Sequence, residues 1–265
     1  MTISNSSKNW SHQQLKLAFY FYCQTPFGQF HSKNKKLIEL AELIGRTPSA
    51  LAMKCVNFAS LDPAIIESGR KGLSNASQLD KVVWDEFHED WERLSTECGL
   101  ILRALQEEHQ PHEDFDDGDL ADGLTEFVDY TGETRTVIVE QRVKQKFFRR
   151  AVLSSYGGRC CVSGVSDPRL LVASHIVPWS RDKSNRLNPR NGLCLSALHD
   201  KAFDAHLFAL TDELHIVLSN SLKHTKDDFL KEVFWKIEDK PIELPERFAP
   251  ATQFLAIHRE MTLSN

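Results

Sequence analysis

The stretch 170–204, LLVASHIVPWSRDKSNRLNPRNGLCLSALHDKAFD, decides how the C-terminal half of this chain is read. Its apolar start has the composition of a strand and delivers His175 at the strand's end. A basic loop follows, Asn191 and Gly192 open a second short apolar run, and His199 then falls in the first turn of a helix. Taken singly, these residues have ordinary readings. Asn191-Gly192 between apolar runs is the signature of a type I′ hairpin, a lone His at a strand end is usually a satisfied surface or core residue, and Asp204 alone reads as a helix-surface or capping carboxylate. Their joint order is far more restrictive than any one of them.

Just upstream, EQRVKQKFFRRAVLSSYGGRCCVSG (140–164) reads as a helix with Val143, Phe147, Ala151 and Val152 on one side and a stop at Gly157-Gly158. Residues 141–190 hold eleven Lys and Arg against Asp167 and Asp182, a local balance of +9 inside a chain whose net charge is −5. A charge run is usually a solvated face. Here it coincides with the His–Asn–His stretch, which is the electrostatic footprint expected of a surface that meets phosphate.

The region resembles the HNH nucleases of the ββα-metal class. The resemblance rests on S-H-I at 174–176, Trp179, RLNPRNGL at 186–193, HDKAFD at 199–204, and upstream on RVKQKFFR at 142–149, Tyr156 and C-x-x-S-G at 160–164. It implies hydrolysis of DNA phosphodiesters with a divalent cation, Mg²⁺ first and Mn²⁺ second. Such a reaction needs a water deprotonated near neutral pH, a cation to take up phosphorane charge, and groups holding the phosphate in line. His175 is the expected general base, since a neutral imidazole titrates near working pH. Asn191, whose amide both donates and accepts, is expected to hold the long loop. The resemblance makes His199 the metal ligand. Ser174 stands where many relatives place a second ligand, which brings in Asp200 and Asp204. On a helix these carboxylates lie about 100 and 140 degrees round from His199, off its face. Arg149, Arg150, Arg181, Arg186 and Arg190 are the expected phosphate contacts. The same features leave open a different class, a DNA-binding regulator built on a catalytically inactive HNH scaffold.

The N-terminal part carries helical periodicity at 11–24, 34–44 and 48–59, the last opened by Thr47 as N-cap and Pro48 at the first helical position. Helix, Gly45-containing turn and second helix look like a helix-turn-helix or Myb-like unit, with Ser49, Lys54 and Asn57 as candidate base or phosphate readers. The same pattern fits any small helical domain. W-S, LAELIGRTPSALAMK, NF and LDP also resemble the N-terminal half of bacterial HNH restriction-type proteins, which implies a setting in restriction or anti-phage defence.

At 265 residues and 41% hydrophobic content the chain can bury a sizeable core in two domains. The expected organisation is α+β: a helical DNA-recognition domain at 1–106, an acidic linker at 107–134, and the nuclease domain at 135–265. Residues 107–122 carry eight carboxylates with Pro111 and Gly118, the composition of a solvated spacer or of a shield over the basic nuclease face. No apolar run approaches a membrane span and the polar start is not a signal peptide, so a cytoplasmic protein without membrane partners is expected. The six cysteines follow no disulfide plan and contain no C-x-x-C pair, so they are expected to pack as small hydrophobes without structural zinc. Cutting both strands would call for a second copy of the chain, a homodimer.

Overall fold

The computed structural model describes residues 9–69, 75–109 and 132–264. It is an α+β protein that divides into two compact units, one formed by residues up to 61 and from 71 to 147, the other by 62–70 and 148 onward. Most of the acidic linker, residues 110–131, lies outside the described residues.

The first unit is helical: α1 (His12–Cys23), α2 (Lys35–Leu43) and α3 (Pro48–Ala59) precede a short α4 (Pro63–Glu67) of the second unit, then come α5 (Gln78–Glu89), α6 (Trp91–His109) and the N-terminal part of α7 (Gly132–Ser155). The helices start where the side chains can close their orphan N–H groups. Ser11 with Gln14 and Ser77 with Asp80 form capping boxes, and Thr47 caps α3 ahead of Pro48. Gly45 sits at φ 67°, the left-handed geometry that ends α2 and turns the chain into α3. The core is aromatic. Phe19 has no exposed surface and meets the rings of Phe58 and Phe87 edge-on at 5.0 and 4.8 Å; burying such a side chain is worth about 1.5–3 kcal/mol. A methyl group on Gly99 would lie 2.3 Å from Val143 Cγ1, so the glycine is what lets α6 and α7 approach.

This packing corrects the expectation for α3. Lys54 is buried, and its ammonium donates to both Asp80 oxygens at 3.0 Å. Asn57 is likewise buried. Neither is offered to a DNA groove by this fold, because the core-facing side of the helix is wider than the apolar residues alone indicate. The exposed positions of α3 include Ser49 and Met53.

The second unit begins on the last turns of α7, which ends at Gly157 and Gly158, both with positive φ; the Gly158 N–H donates back to the Leu153 carbonyl at 2.8 Å. β1 (Leu171–His175) pairs antiparallel with β2 (Gly192–Ser196), with His175 opposite Gly192. α8 (Ala197–Asp204) follows directly, capped by the Ser196 hydroxyl. The result is a β–β–α unit. A hairpin of β3 (Phe208–Leu210) and β4 (Ile216–Leu218) comes next, then α9 (Asn220–Lys223), α10 (Asp228–Phe234) and α11 (Thr252–Leu263), which packs on β3. Among the described residues no helix is long and apolar enough to cross a membrane.

Candidate active site

His175 ends β1, and the loop 176–190 returns the chain to Gly192 directly opposite it. That return is not a tight hairpin. Asn188-Pro189 starts a short 3-10 turn, and Asn191 is buried and uses its whole amide on the loop. Its Oδ1 accepts from the Val177 N–H at 2.9 Å, and its Nδ2 donates to the Val177 and Asn185 carbonyls at 3.1 and 3.3 Å. Three bonds from one buried side chain pin both ends of this fifteen-residue excursion, whose own middle is tied by Asp182, which accepts from the Ser184 and Asn185 N–H groups at 3.1 Å.

The pinned loop presents the Arg186 carbonyl to His175, whose Nε2 donates to it at 2.9 Å. That bond puts the neutral ring's proton on Nε2 and leaves Nδ1 with a free lone pair. The ring is clamped by aromatics, lying parallel to Phe148 at 3.8 Å and edge-on to Trp179 at 5.6 Å. Burial lowers the His175 pKa below the usual imidazole value, opposed by the Arg186 bond and by the charge of Asp204. The ring is therefore held in place, unprotonated, and within electrostatic reach of the end of α8.

Gly192 explains how Phe148 reaches the histidine. Its φ of −132° is ordinary extended backbone. What matters is space, because a Cβ there would lie 2.4 Å from Val152 Cγ2 and 3.0 Å from Phe148 Cζ. Adjacent Phe147 and Phe148 point about 100 degrees apart on α7, so only one can join the face identified by periodicity. A second aromatic beside the first was the available signal for this ring platform.

α8 sorts the three expected metal ligands into two groups. His199 is buried, edge-on to Phe208 and Phe234 at 6.4 and 5.7 Å, and its Nδ1 lies 2.7 Å from Ser196 Oγ and 3.8 Å from Cys160 Sγ. Nδ1 is thus taken up by these contacts. Asp200 and Asp204 are one turn apart, half-buried and exposed respectively. Ser174 is buried with its hydroxyl unpartnered. Among the described residues no group of three or more His, Cys, Asp or Glu side chains is arranged to hold a metal ion. Two hard oxygen donors at i and i+4 nevertheless suit a small divalent cation, which commonly takes one or two carboxylates and fills its shell from water and phosphate.

The basic residues divide as well. Arg149 donates to the Leu171 and Pro168 carbonyls, Arg186 donates to the Trp179 carbonyl and lies over its ring at 5.2 Å, and Arg190 donates to the Ala249 carbonyl. Arg181 is exposed and donates to the Met261 thioether. Arg150 is half-buried on α7. All five belong to the same unit as His175, whereas Lys54 and Asn57 belong to the other.

Compared with known families, residues 160–211 match the HNH endonuclease family, a span that starts at Cys160 and runs through β1, the loop, β2 and α8 to the end of β3. No curated protein matches the chain.

Proposed function

We propose, from the match of residues 160–211 to the HNH endonuclease family, that the chain hydrolyses DNA phosphodiester bonds with the help of a divalent cation, Mg²⁺ or Mn²⁺. The observation that carries this reading is the fixed state of His175: Nε2 is occupied by the Arg186 carbonyl, Phe148 and Trp179 hold the ring, and burial keeps it unprotonated at neutral pH. Nδ1 is then a general base for an attacking water. Asp200 and Asp204 are the residues that would hold the cation, because they share a face of α8 and Asp204 acts electrostatically on His175. When bound, the cation supplies charge neutralisation at the phosphate. Asn191 keeps the Arg186 carbonyl in place and so orients the base at one remove. Arg149, Arg150, Arg181, Arg186 and Arg190 give the unit its affinity for the phosphate backbone, while sequence information must come from groove contacts elsewhere. Restriction or anti-phage defence is the setting that the motif resemblance supports.

A second reading, a DNA-binding regulator on an inactive scaffold, is favoured by Ser174, which stands where many relatives place a second ligand and is buried with its hydroxyl unpartnered. Supercoiled plasmid incubated with the full chain and Mg²⁺ or Mn²⁺ separates the two. Nicking or linearisation is expected from the natural sequence, with His175→Ala slower by about 10²–10⁴, the usual cost of losing a general base. Asp204→Asn should need more cation for the same rate. DNA retention without cleavage in either metal would leave the regulator reading standing, and equal single-turnover rates for the natural chain and His175→Ala would remove His175 from the mechanism.

A further inference from the structure

α11 carries two stripes of side chains. Phe254, Leu255, His258 and Thr262 are buried in the core, whereas Ile257, Glu260, Met261 and Ser264, spaced three and four apart, share another side of the helix. With Arg181 and His206 this second stripe lines a groove of about 500 Å³, a volume inside the range of about 300–1,000 Å³ typical of small-molecule sites. Its other walls continue the elements that carry the candidate active site. Arg181 lies in the 176–190 loop whose Arg186 carbonyl holds His175, and His206 follows Asp204 by two residues.

The opposite charges in this groove do not pair with each other. Among the described residues the Arg181 guanidinium has only the Met261 thioether, a weak acceptor, at 2.6 Å, and the exposed Glu260 carboxylate has no partner. Ile257 and Met261 add an apolar surface of which Ile257 is 41% exposed. His206 adds a strained corner. Its φ of 54° is the left-handed geometry that a helix end usually gives to glycine, and its Nδ1 is buried without a partner among the described residues. Strained residues of this kind gather at ligand sites. A molecule that fits the groove must bring an anion for Arg181, donors for Glu260 and a flat apolar face for Ile257 and Met261. Backbone phosphate alone does not, because the carboxylate repels it. A nucleotide does. Guanine presents two neighbouring donors on its Watson–Crick edge, N1–H and the 2-amino group, which match the two oxygens of one carboxylate. Adenine and cytosine set an acceptor nitrogen beside their amino group, and thymine flanks its one N–H with carbonyls. That edge is open only when the base is unpaired. We propose that the groove receives one unpaired guanine nucleotide of the bound DNA, with Glu260 reading the base edge, Ile257 and Met261 under its face and Arg181 on its phosphate. This pocket requires that the chain bind DNA, as proposed above, and does not require that it cleave.

The test is binding of the full chain, in chelator so that no strand is cut, to a short fluorescein-labelled oligothymidylate and to the same strand with one central guanine, adenine or hypoxanthine. Guanine is expected to tighten binding about tenfold, in the range of a bidentate base contact, and adenine to leave it unchanged. Hypoxanthine keeps N1–H but lacks the 2-amino group, so it should fall between them. Equal affinity for all four strands would overturn the pocket while leaving the basic phosphate surface standing, and failure to bind these strands or a duplex would overturn both. Glu260→Gln exchanges one acceptor oxygen for a donor at an exposed position, so the melt should be unchanged and the guanine preference lost, with affinity for plain oligothymidylate equal or higher. A preference that survives in Glu260→Gln would remove Glu260 as the reader and overturn the proposal. Arg181→Ala should weaken all four strands alike, since a phosphate contact carries no base information, and should lower the fall of log affinity with log salt by about 0.7. An unchanged slope would count against the phosphate end of the pocket.

Discussion

At the scale of a single residue, Gly192 carries the sharpest prediction. Gly192→Ala places a methyl group against Val152 and Phe148, and overpacking of this kind costs about 1–3 kcal/mol. Phe148 is the ring on which His175 lies, so relief of the clash moves the base. Cleavage should fall by about tenfold or more while a cooperative melt persists; cleavage at the original rate with a lowered melting temperature would show that the ring platform does not position His175. Asn191-Gly192 also shows what a sequence can and cannot reveal. The role of the Asn amide as loop clamp follows from its donor and acceptor pair and was readable. The dipeptide's hairpin signature was misleading, because the glycine serves a close approach by Val152 and Phe148 of α7, 40 and 44 positions earlier in the chain, and no local pattern reports that.

At the scale of elements, α8 teaches the same lesson from the other side. The helical angles that separate His199 from Asp200 and Asp204 follow from sequence alone, but which side turns inward is decided by Phe208, Phe234 and Cys160. The joint between α8 and α11 provides a pH prediction. His258 is buried, stacks on Phe203 at 3.7 Å and donates from Nε2 to the Phe203 carbonyl at 3.0 Å. Burial, with the neighbouring His206 adding to it, lowers its pKa to about 4 against an opposing contribution from the Phe203 bond. Between about 6.5 and 4 the unfolded chain binds a proton that the folded chain refuses. The stabilisation is therefore complete above about pH 6.5 and is lost as pH falls towards 4, by about 3 kcal/mol in all. Denaturant unfolding of the natural chain and His258→Gln from pH 7 to 4 checks this: the variant should have the shallower decline, and parallel curves would show that His258 is not the group responsible.

For the molecule as a whole, the question is how the two units share the work. The helical unit was expected to read DNA through Lys54 and Asn57, and the fold spends Lys54 on Asp80, which has no exposed surface and also accepts from the Ser77 N–H at 2.8 Å. Periodicity could not foresee this, since the carboxylate that claims the lysine lies 26 positions away on α5. Lys54→Ala leaves a buried carboxylate without its cation and should destabilise the first unit by about 3–5 kcal/mol. It should leave the fall of log DNA affinity with log salt unchanged, because each phosphate contact adds about 0.9 to that slope and Lys54 makes none. A slope lowered by about one, measured below the melting temperature of the variant, would return Lys54 to the DNA surface. The basic residues of the second unit, by contrast, were legible from composition alone, since a balance of +6 over residues 148–190, eight Lys and Arg against Asp167 and Asp182, needs no tertiary knowledge.

The clamp on the 176–190 loop has a kinetic consequence. His175, Asn191, Asp200 and Asp204 all fall within one stretch of thirty residues, 175 to 204, and the strand pair and helix that carry them are consecutive. Contacts this close in sequence have little loop-closure entropy to overcome and form quickly. The framework of the candidate site can therefore assemble before the more distant α11, with His258, docks against it. The late arrival of α11 means that the far end of α8, which His258 braces through the Phe203 carbonyl, is fixed only after the strand pair and its loop have already taken shape.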